Sequence, residues 1–225
     1  MPINPNASME VTALAWVPPL AQGLVKDLRV RWALEEAGFD YRVRLLGGER
    51  PSDYVKEQAF DQVPSFRDGA VQFFESGAIV QYIGEKSEAL LPRDPQGKYR
   101  AIQWSYAAVN SVEPAVQNRV LLDSFYADEE WAKLYTPTAD QFARLRLKRV
   151  SDRLAGNLWL EGDRFTMGDL MMVTVLRLAD CGGLLGDTPN LAEYMERGQA
   201  RPAFQAALDD QLATYRANEP KGEAA

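Results

Sequence analysis

Residues 61–82 read DQVPSFRDGAVQFFESGAIVQY: a strand, a turn, a second strand and then, abruptly, a helix. Val63-Pro64-Ser65-Phe66 is a short apolar run opened by a proline, and a sheet tolerates proline only at a strand start, an edge or a bulge. Pro64 therefore stands at the entrance of a strand. Arg67-Asp68-Gly69 supplies a tight turn, and residues 70–74 return as the second strand of a hairpin. Ser76 then falls where a helix N-cap belongs, ahead of Ala78, Ile79, Tyr82 and Ile83 on one helical face. A Glu-Ser pair at a helix start presents backbone N–H groups, a hydroxyl and a positive dipole end to whatever approaches. The junction is suited to a ligand carboxylate.

Upstream of this stretch, residues 1–9 are rich in proline and asparagine and read as a flexible tail. Residues 11–16 (VTALAW) alternate weakly and give a first strand ending at Trp16 or Val17, before Pro18-Pro19. Leu24, Val25, Leu28 and Trp32 recur at helical spacing up to Gly38, which closes the helix. Tyr41, Val43 and Leu45 alternate with Arg42 and Arg44, predicting a strand with one buried face and one wet face. Pro51 and Ser52 open a short helix over residues 53–59. The order is strand, helix, strand, short helix, strand, strand, helix, an α/β unit over residues 10–88.

Downstream, residues 89–97 contain Leu90-Leu91-Pro92-Arg93-Asp94-Pro95 and read as a proline-punctuated linker. Everything from residue 98 to residue 225 is expected to form an all-helical second domain. Residues 98–126 carry one long helical pattern that Pro114 should kink. Thr136-Pro137 has the form of an N-cap followed by proline at the first helical position. Thr166-Met167-Gly168-Asp169 has capping-box spacing, with aspartate in the place usual for glutamate or glutamine, and opens a nearly all-apolar helix that Gly182 and Gly183 end. Helices over residues 190–197 and 202–215 complete the pattern, followed by a polar end.

Composition removes several kinds of chemistry. The chain has no histidine, which takes away the usual general base, the usual zinc ligand and any Ser-His or Cys-His arrangement. No metal site is expected. Cys181 is the only cysteine, so neither an internal disulfide nor a CxxC pair can form, in keeping with a reducing cytoplasm. A net charge of -7 disfavours nucleic acid and anionic membrane surfaces as partners, because both require a basic field. The basic run at residues 144–149 (RLRLKR) reads as a solvated helix face. The apolar part before Trp16 is short, lacks a basic flank and does not have the form of a signal peptide, and the apolar run at residues 170–179 is too short to span a bilayer.

Four elements in order resemble the cytosolic glutathione S-transferase family: residues 30–38 (VRWALEEAG), 62–66 (QVPSF), 75–79 (ESGAI) and 165–169 (FTMGD). The resemblance spans residues 10–215 and leaves the class within the family unassigned. It implies a thioredoxin-like N-terminal domain that holds glutathione and an all-helical C-terminal domain that shapes an electrophile pocket, in a homodimer. In the roles the family implies, Gln62 and Val63 belong to the glutathione site, the Val63 backbone pairing with its cysteinyl part, and Pro64 is a cis-proline. Glu75 meets the γ-glutamyl ammonium and Ser76 its carboxylate. Thr166 and Asp169 cap a buried helix. Tyr106, Asn110 and Arg119 are candidates for the electrophile pocket. Glutathione is the implied cosubstrate, with no prosthetic group, and a small hydrophobic electrophile or an organic peroxide is its partner in a detoxifying reaction. A binding or protein-interaction module of the same fold is the alternative.

One expected feature is missing. The family places a Tyr, Ser or Cys at or just before the first helix to hold the glutathione thiol, and residues 16–24 (WVPPLAQGL) offer no hydroxyl or thiol. The candidates for that task are then the backbone N–H groups around Gln22, Gly23 and Leu24, with the Gln22 amide, while Trp16 lines the pocket or packs in the core.

Overall fold

The computed structural model describes residues 3–220. They form two compact units. One comprises the chain up to Ser87 together with the chain from Arg201 onward, and the other is Glu88–Ala200.

The first unit has the thioredoxin-like arrangement expected from the sequence. Strands β1 (Met9–Leu14), β2 (Tyr41–Leu46), β3 (Ser65–Asp68) and β4 (Val71–Phe74) form one sheet in the order β2-β1-β3-β4. β1 and β2 are parallel, with Glu10 opposite Arg42, as their crossover through helix α1 (Asp27–Ala37) requires. β3 runs antiparallel to both β1 and β4. Helix α2 (Ser76–Lys86) follows β4 directly.

Several local expectations change on this sheet. β1 ends at Leu14 rather than Trp16, with the Ala15 N–H on the Leu46 carbonyl at 2.8 Å. Residues 53–59 give only a single 3₁₀ turn, Tyr54–Lys56. β2 is an edge strand, and Leu45, assigned to its buried face, is 43% exposed, whereas Leu46 is buried. The polar alternation is used laterally instead: Arg42 and Arg44 both pair with Glu10 of β1 at 3.0 Å. Residues 1 and 2 of the expected tail lie outside the described residues, but the rest of it is tied down. Ile3 bridges to Tyr41, the Asn4 N–H donates to the Tyr41 carbonyl at 2.8 Å, and Ala7 is buried. A sheet edge with unpaired backbone groups provides that anchorage.

The last helix, α8 (Pro202–Ala217), belongs to this first unit and not to the second domain, where the sequence had placed it. It covers α1. Phe204 packs edge-on against Trp32 with ring centroids 4.9 Å apart, and Arg201 forks onto Glu36 at 2.5 and 2.7 Å. α1 is consequently buried from Asp27 through Leu34.

The second unit is helical. Leu90 and Leu91, in the stretch expected to be a linker, are buried, and the Leu90 carbonyl accepts from the Met167 N–H at 2.8 Å. Helix α3 (Pro95–Tyr106) starts on an Asp94 cap, whose side chain accepts from the Gly97 N–H. A π-helical segment, Ala107–Val112, then joins α3 to α4 (Glu113–Phe125). Pro114 accounts for it, since it lacks an N–H and its ring crowds the carbonyl four residues back, so the helix widens by a residue per turn ahead of it. α5 runs Glu130–Leu154, so Thr136-Pro137 lies within a helix rather than at its start. The Thr136 hydroxyl donates to the Ala132 carbonyl at 2.8 Å, a bond the i−4 spacing of a continuing helix makes possible.

Helix α6 (Met167–Cys181) is the core of this unit, with α7 (Pro189–Gln199) against it. Its capping box is formed as expected: the Gly168 N–H donates to the Thr166 hydroxyl at 3.2 Å and the Thr166 N–H to the Asp169 carboxylate at 2.9 Å. Gly168 lets α6 approach α3, because a Cβ there would sit 2.7 Å from the Trp104 Cβ. No helix among the described residues is long and apolar enough to cross a membrane.

Candidate functional site

The hairpin register brings the two halves of residues 61–82 together. Ser65 pairs with Phe74, so Pro64 and Glu75, each one residue further along, stand side by side at one end of β3 and β4. The Val63–Pro64 peptide bond is cis. Pro64 is buried, Val63 half-buried, and neither backbone group of Val63 has a hydrogen-bond partner among the described residues. An open N–H and C=O at a strand entrance is a place for a second extended chain to pair.

The neighbouring backbone, by contrast, is fastened. The Tyr54 hydroxyl donates to the Gln62 carbonyl at 2.8 Å and lies 2.9 Å from the Thr12 hydroxyl oxygen, which accepts from the Ser65 N–H at 2.7 Å. The Gln58 side-chain oxygen takes the N–H groups of Phe60 and Gln62 at 2.6 and 3.2 Å. Tyr54, Gln58 and Thr12 thus fix the loop on either side of Val63. Sequence reading missed all three, because they act through tertiary contacts.

Glu75, not Ser76, occupies the N-cap of α2, with φ 77° and ψ 110°. A side-chain-bearing residue pays for that conformation with strain that the surrounding structure must hold, a pattern concentrated at ligand sites. Glu75 is exposed, while Ser76, the first helical residue, is 4% exposed. Its hydroxyl accepts from Arg29 of α1 at 3.4 Å. Arg29 is itself buried, so a fixed positive charge lies beside a hydroxyl and a helix N-terminus, the combination that favours a carboxylate. Arg29 was not singled out from the sequence. Its place in the VKDLRVRW run, one turn of helix into a buried face, is the signal that could have found it.

The loop from Trp16 to Leu24 departs from what was expected of it. Residues 19–21 form a 3₁₀ turn, in which the Gln22 N–H donates to the Pro19 carbonyl at 3.2 Å and the Leu24 N–H to the Ala21 carbonyl at 3.0 Å. The Gln22 amide donates to the Val17 carbonyl at 3.1 Å. These three donors are engaged within the loop, since Pro18-Pro19 tightens it into a turn that satisfies its own backbone. Gly23, with φ 77°, is buried, and Trp16 and Leu24 are half-buried. α1 itself begins only at Asp27.

In the second unit, Tyr106 and Asn110 are exposed at the junction of α3 with the π-helical segment. Arg119 of α4 is committed to Asp123 at 2.5 Å and Asp140 at 3.2 Å.

Independent comparisons agree with this geometry. Residues 23–85 match the family model described as the glutathione S-transferase N-terminal domain. Glutathione S-transferase Z2 of Arabidopsis thaliana is 30% identical over 194 residues, covering 81% of this chain and 85% of that protein. Glutathione S-transferase GstA of Escherichia coli O157:H7 is 28% identical over 188 residues, covering 78% and 89%. A glutathione transferase family member from Pseudomonas fluorescens, solved with two glutathione bound, superposes with a TM-score of 0.77 at 23% identity, over 89% of this chain and 92% of that one. The chain belongs to the glutathione S-transferase family.

Proposed function

We propose that the protein is a glutathione transferase, which binds the tripeptide along Val63 and adds its thiolate to a small hydrophobic electrophile or uses it to reduce an organic peroxide. The observation that carries this reading is the unpartnered backbone of Val63 beside Glu75, Ser76 and Arg29. Val63 pairs with the cysteinyl unit, Gln62 flanks it, Ser76 and Arg29 receive the γ-glutamyl carboxylate, and Glu75 receives its ammonium. That the Pseudomonas fluorescens relative was solved with two glutathione bound supports glutathione as the ligand.

The chemistry depends on thiolate. A thiol with a pKa of about 8.5 is mostly protonated at neutral pH, and lowering it by two units takes roughly 2.7 kcal/mol. With the Gln22 and Leu24 N–H groups engaged, stabilisation falls to the positive end of α1. Asp27 in that first turn does not cancel the dipole, because Arg31 neutralises it at 2.8 Å. No covalent enzyme intermediate forms, and proximity and charge stabilisation provide the acceleration.

Ser76→Ala is expected to weaken retention on immobilised glutathione by about tenfold, the value of a hydrogen bond to a charged group. Unchanged retention would refute the assigned site. The missing hydroxyl in the Trp16–Leu24 loop favours a second reading, a glutathione-binding module without turnover. Retention on glutathione, with no turnover of an activated aryl halide or an organic hydroperoxide, is the result that selects it.

A homodimer completes the reading. Phe125, Tyr126, Trp131, Leu134 and Tyr135 are exposed where α4 ends and α5 begins, and Leu134 is 81% exposed. An apolar surface of that kind calls for cover. Sedimentation should show a dimer for the wild type and a shift toward monomer for Leu134→Glu, and a wild-type monomer would overturn this assignment.

A further inference from the structure

Gln211 of α8 is fully buried although its side chain is an amide. Its Nε2 carries two hydrogens and has two acceptors, both at the start of α1: Asp27 Oδ1 at 2.7 Å and, more weakly, the Val25 carbonyl at 3.4 Å. The other carboxylate oxygen of Asp27 accepts from Arg31 Nε at 2.8 Å. Both oxygens of a fully buried carboxylate are therefore held from the core side, one by α1 itself and one by a residue from the far end of the chain. A leucine or methionine would fill the same space without the desolvation cost, so the packing of α8 on α1 does not explain a glutamine here. The surroundings leave further polar capacity: Nη1 and Nη2 of Arg31, Oε1 of Gln211, Oδ2 of Asp210 and the Tyr215 hydroxyl are buried without hydrogen-bond partners among the described residues. That set of donors and acceptors suits bridging water, which keeps the guanidinium charged next to Asp27.

We propose that Gln211 is a positioning residue for glutathione chemistry, fixing through Asp27 and Val25 the N-terminal turn of α1 at which the sulfur is stabilised. This rests on the transferase reading above. Gln211 keeps the Asp27 carboxylate turned inward. The carboxylate already lies against its own backbone N–H, and without the amide it leans further on the N–H groups of its helix end, where it competes more strongly with the thiolate for the same positive field. The loop carrying Gly23 and Leu24 enters the helix through Val25 and shifts with it.

The test is the ultraviolet titration of glutathione thiolate on Gln211→Met, with the pH profile of aryl-halide conjugation. We expect glutathione affinity at pH 6 within about twofold of wild type, a bound-thiol pKa higher by about one unit, and kcat about tenfold lower at pH 6 but near wild type at pH 9. Should Gln211→Met not fold, Gln211→Asn, which keeps a buried amide but shortens its reach, is scored by the same two readouts. A folded variant with an unmoved thiol pKa and pH profile overturns the proposal alone. A wild type that binds no glutathione, or leaves its thiol pKa at the free value, overturns the thiolate reading and this proposal with it.

Discussion

Alanine at Asp169 is expected to destabilise the folded chain by about 3–5 kcal/mol, the range for removing the partner of buried polar groups. The carboxylate is almost wholly inaccessible and accepts from four donors: the Leu160 N–H at 2.8 Å, the Thr166 N–H at 2.9 Å, the Thr166 hydroxyl at 3.1 Å and the Tyr194 hydroxyl at 2.9 Å. Burial pushes its own carboxyl above the ordinary range, against the opposing pull of those donors. One side chain thus joins the N-terminus of α6, the turn before it and α7. Asp169→Ala leaves all four donors facing a cavity, whereas Thr166→Ala removes mainly a cap and should cost about 1 kcal/mol. Urea unfolding followed by tryptophan fluorescence separates the two, and equal losses would show that Asp169 is no more than a helix cap.

The second large effect is expected at Asp27. Arg31 is fully buried, and among the described residues its ion-pair partner is Asp27 at 2.8 Å, so Asp27→Ala strands a guanidinium in the core at a cost of about 3–5 kcal/mol. Burial also raises the Asp27 carboxyl above its usual range, with Arg31 and Gln211 pulling the other way. Replacing the charge pair together, in Asp27→Ala with Arg31→Met, should recover a substantial part of that loss, because two buried charges disappear rather than one. If the double variant is less stable than Asp27→Ala alone, the penalty lies in lost packing and not in the unpaired charge.

Much of the fold was legible because its signals are local. Pro64 at a strand entrance, the turn at Gly69, the closing Gly38 in a left-handed conformation and the Thr166–Asp169 box all act within a few residues. The Glu75-Ser76 junction was found for the same reason, although the roles of cap and first helical residue fell one position apart from expectation. What failed depends on distant partners. The periodicity of α1 marks Leu28 and Trp32 as its buried face, but α8 covers the remaining side, which no pattern within residues 24–38 announces. Arg29, Asp27 and Arg31 therefore looked like ordinary polar positions. Thr136-Pro137 misled because its helix-start chemistry was satisfied inside a longer helix, and the engaged donors at Gln22 and Leu24 follow from a turn whose closure could not be read from residue types alone.

The return of α8 to the first unit has a consequence for synthesis. Asp27 and Gln211 lie 184 positions apart, so the N-terminal half of the chain cannot be completed when its own sheet has left the ribosome. Until the last helix emerges, Arg31, Asp27 and the Trp32 face remain uncovered while the intervening helical unit is free to fold on its own contacts. Assembly of the N-terminal half therefore waits on α8, and a chain released before it would carry a formed sheet with an open, charged flank.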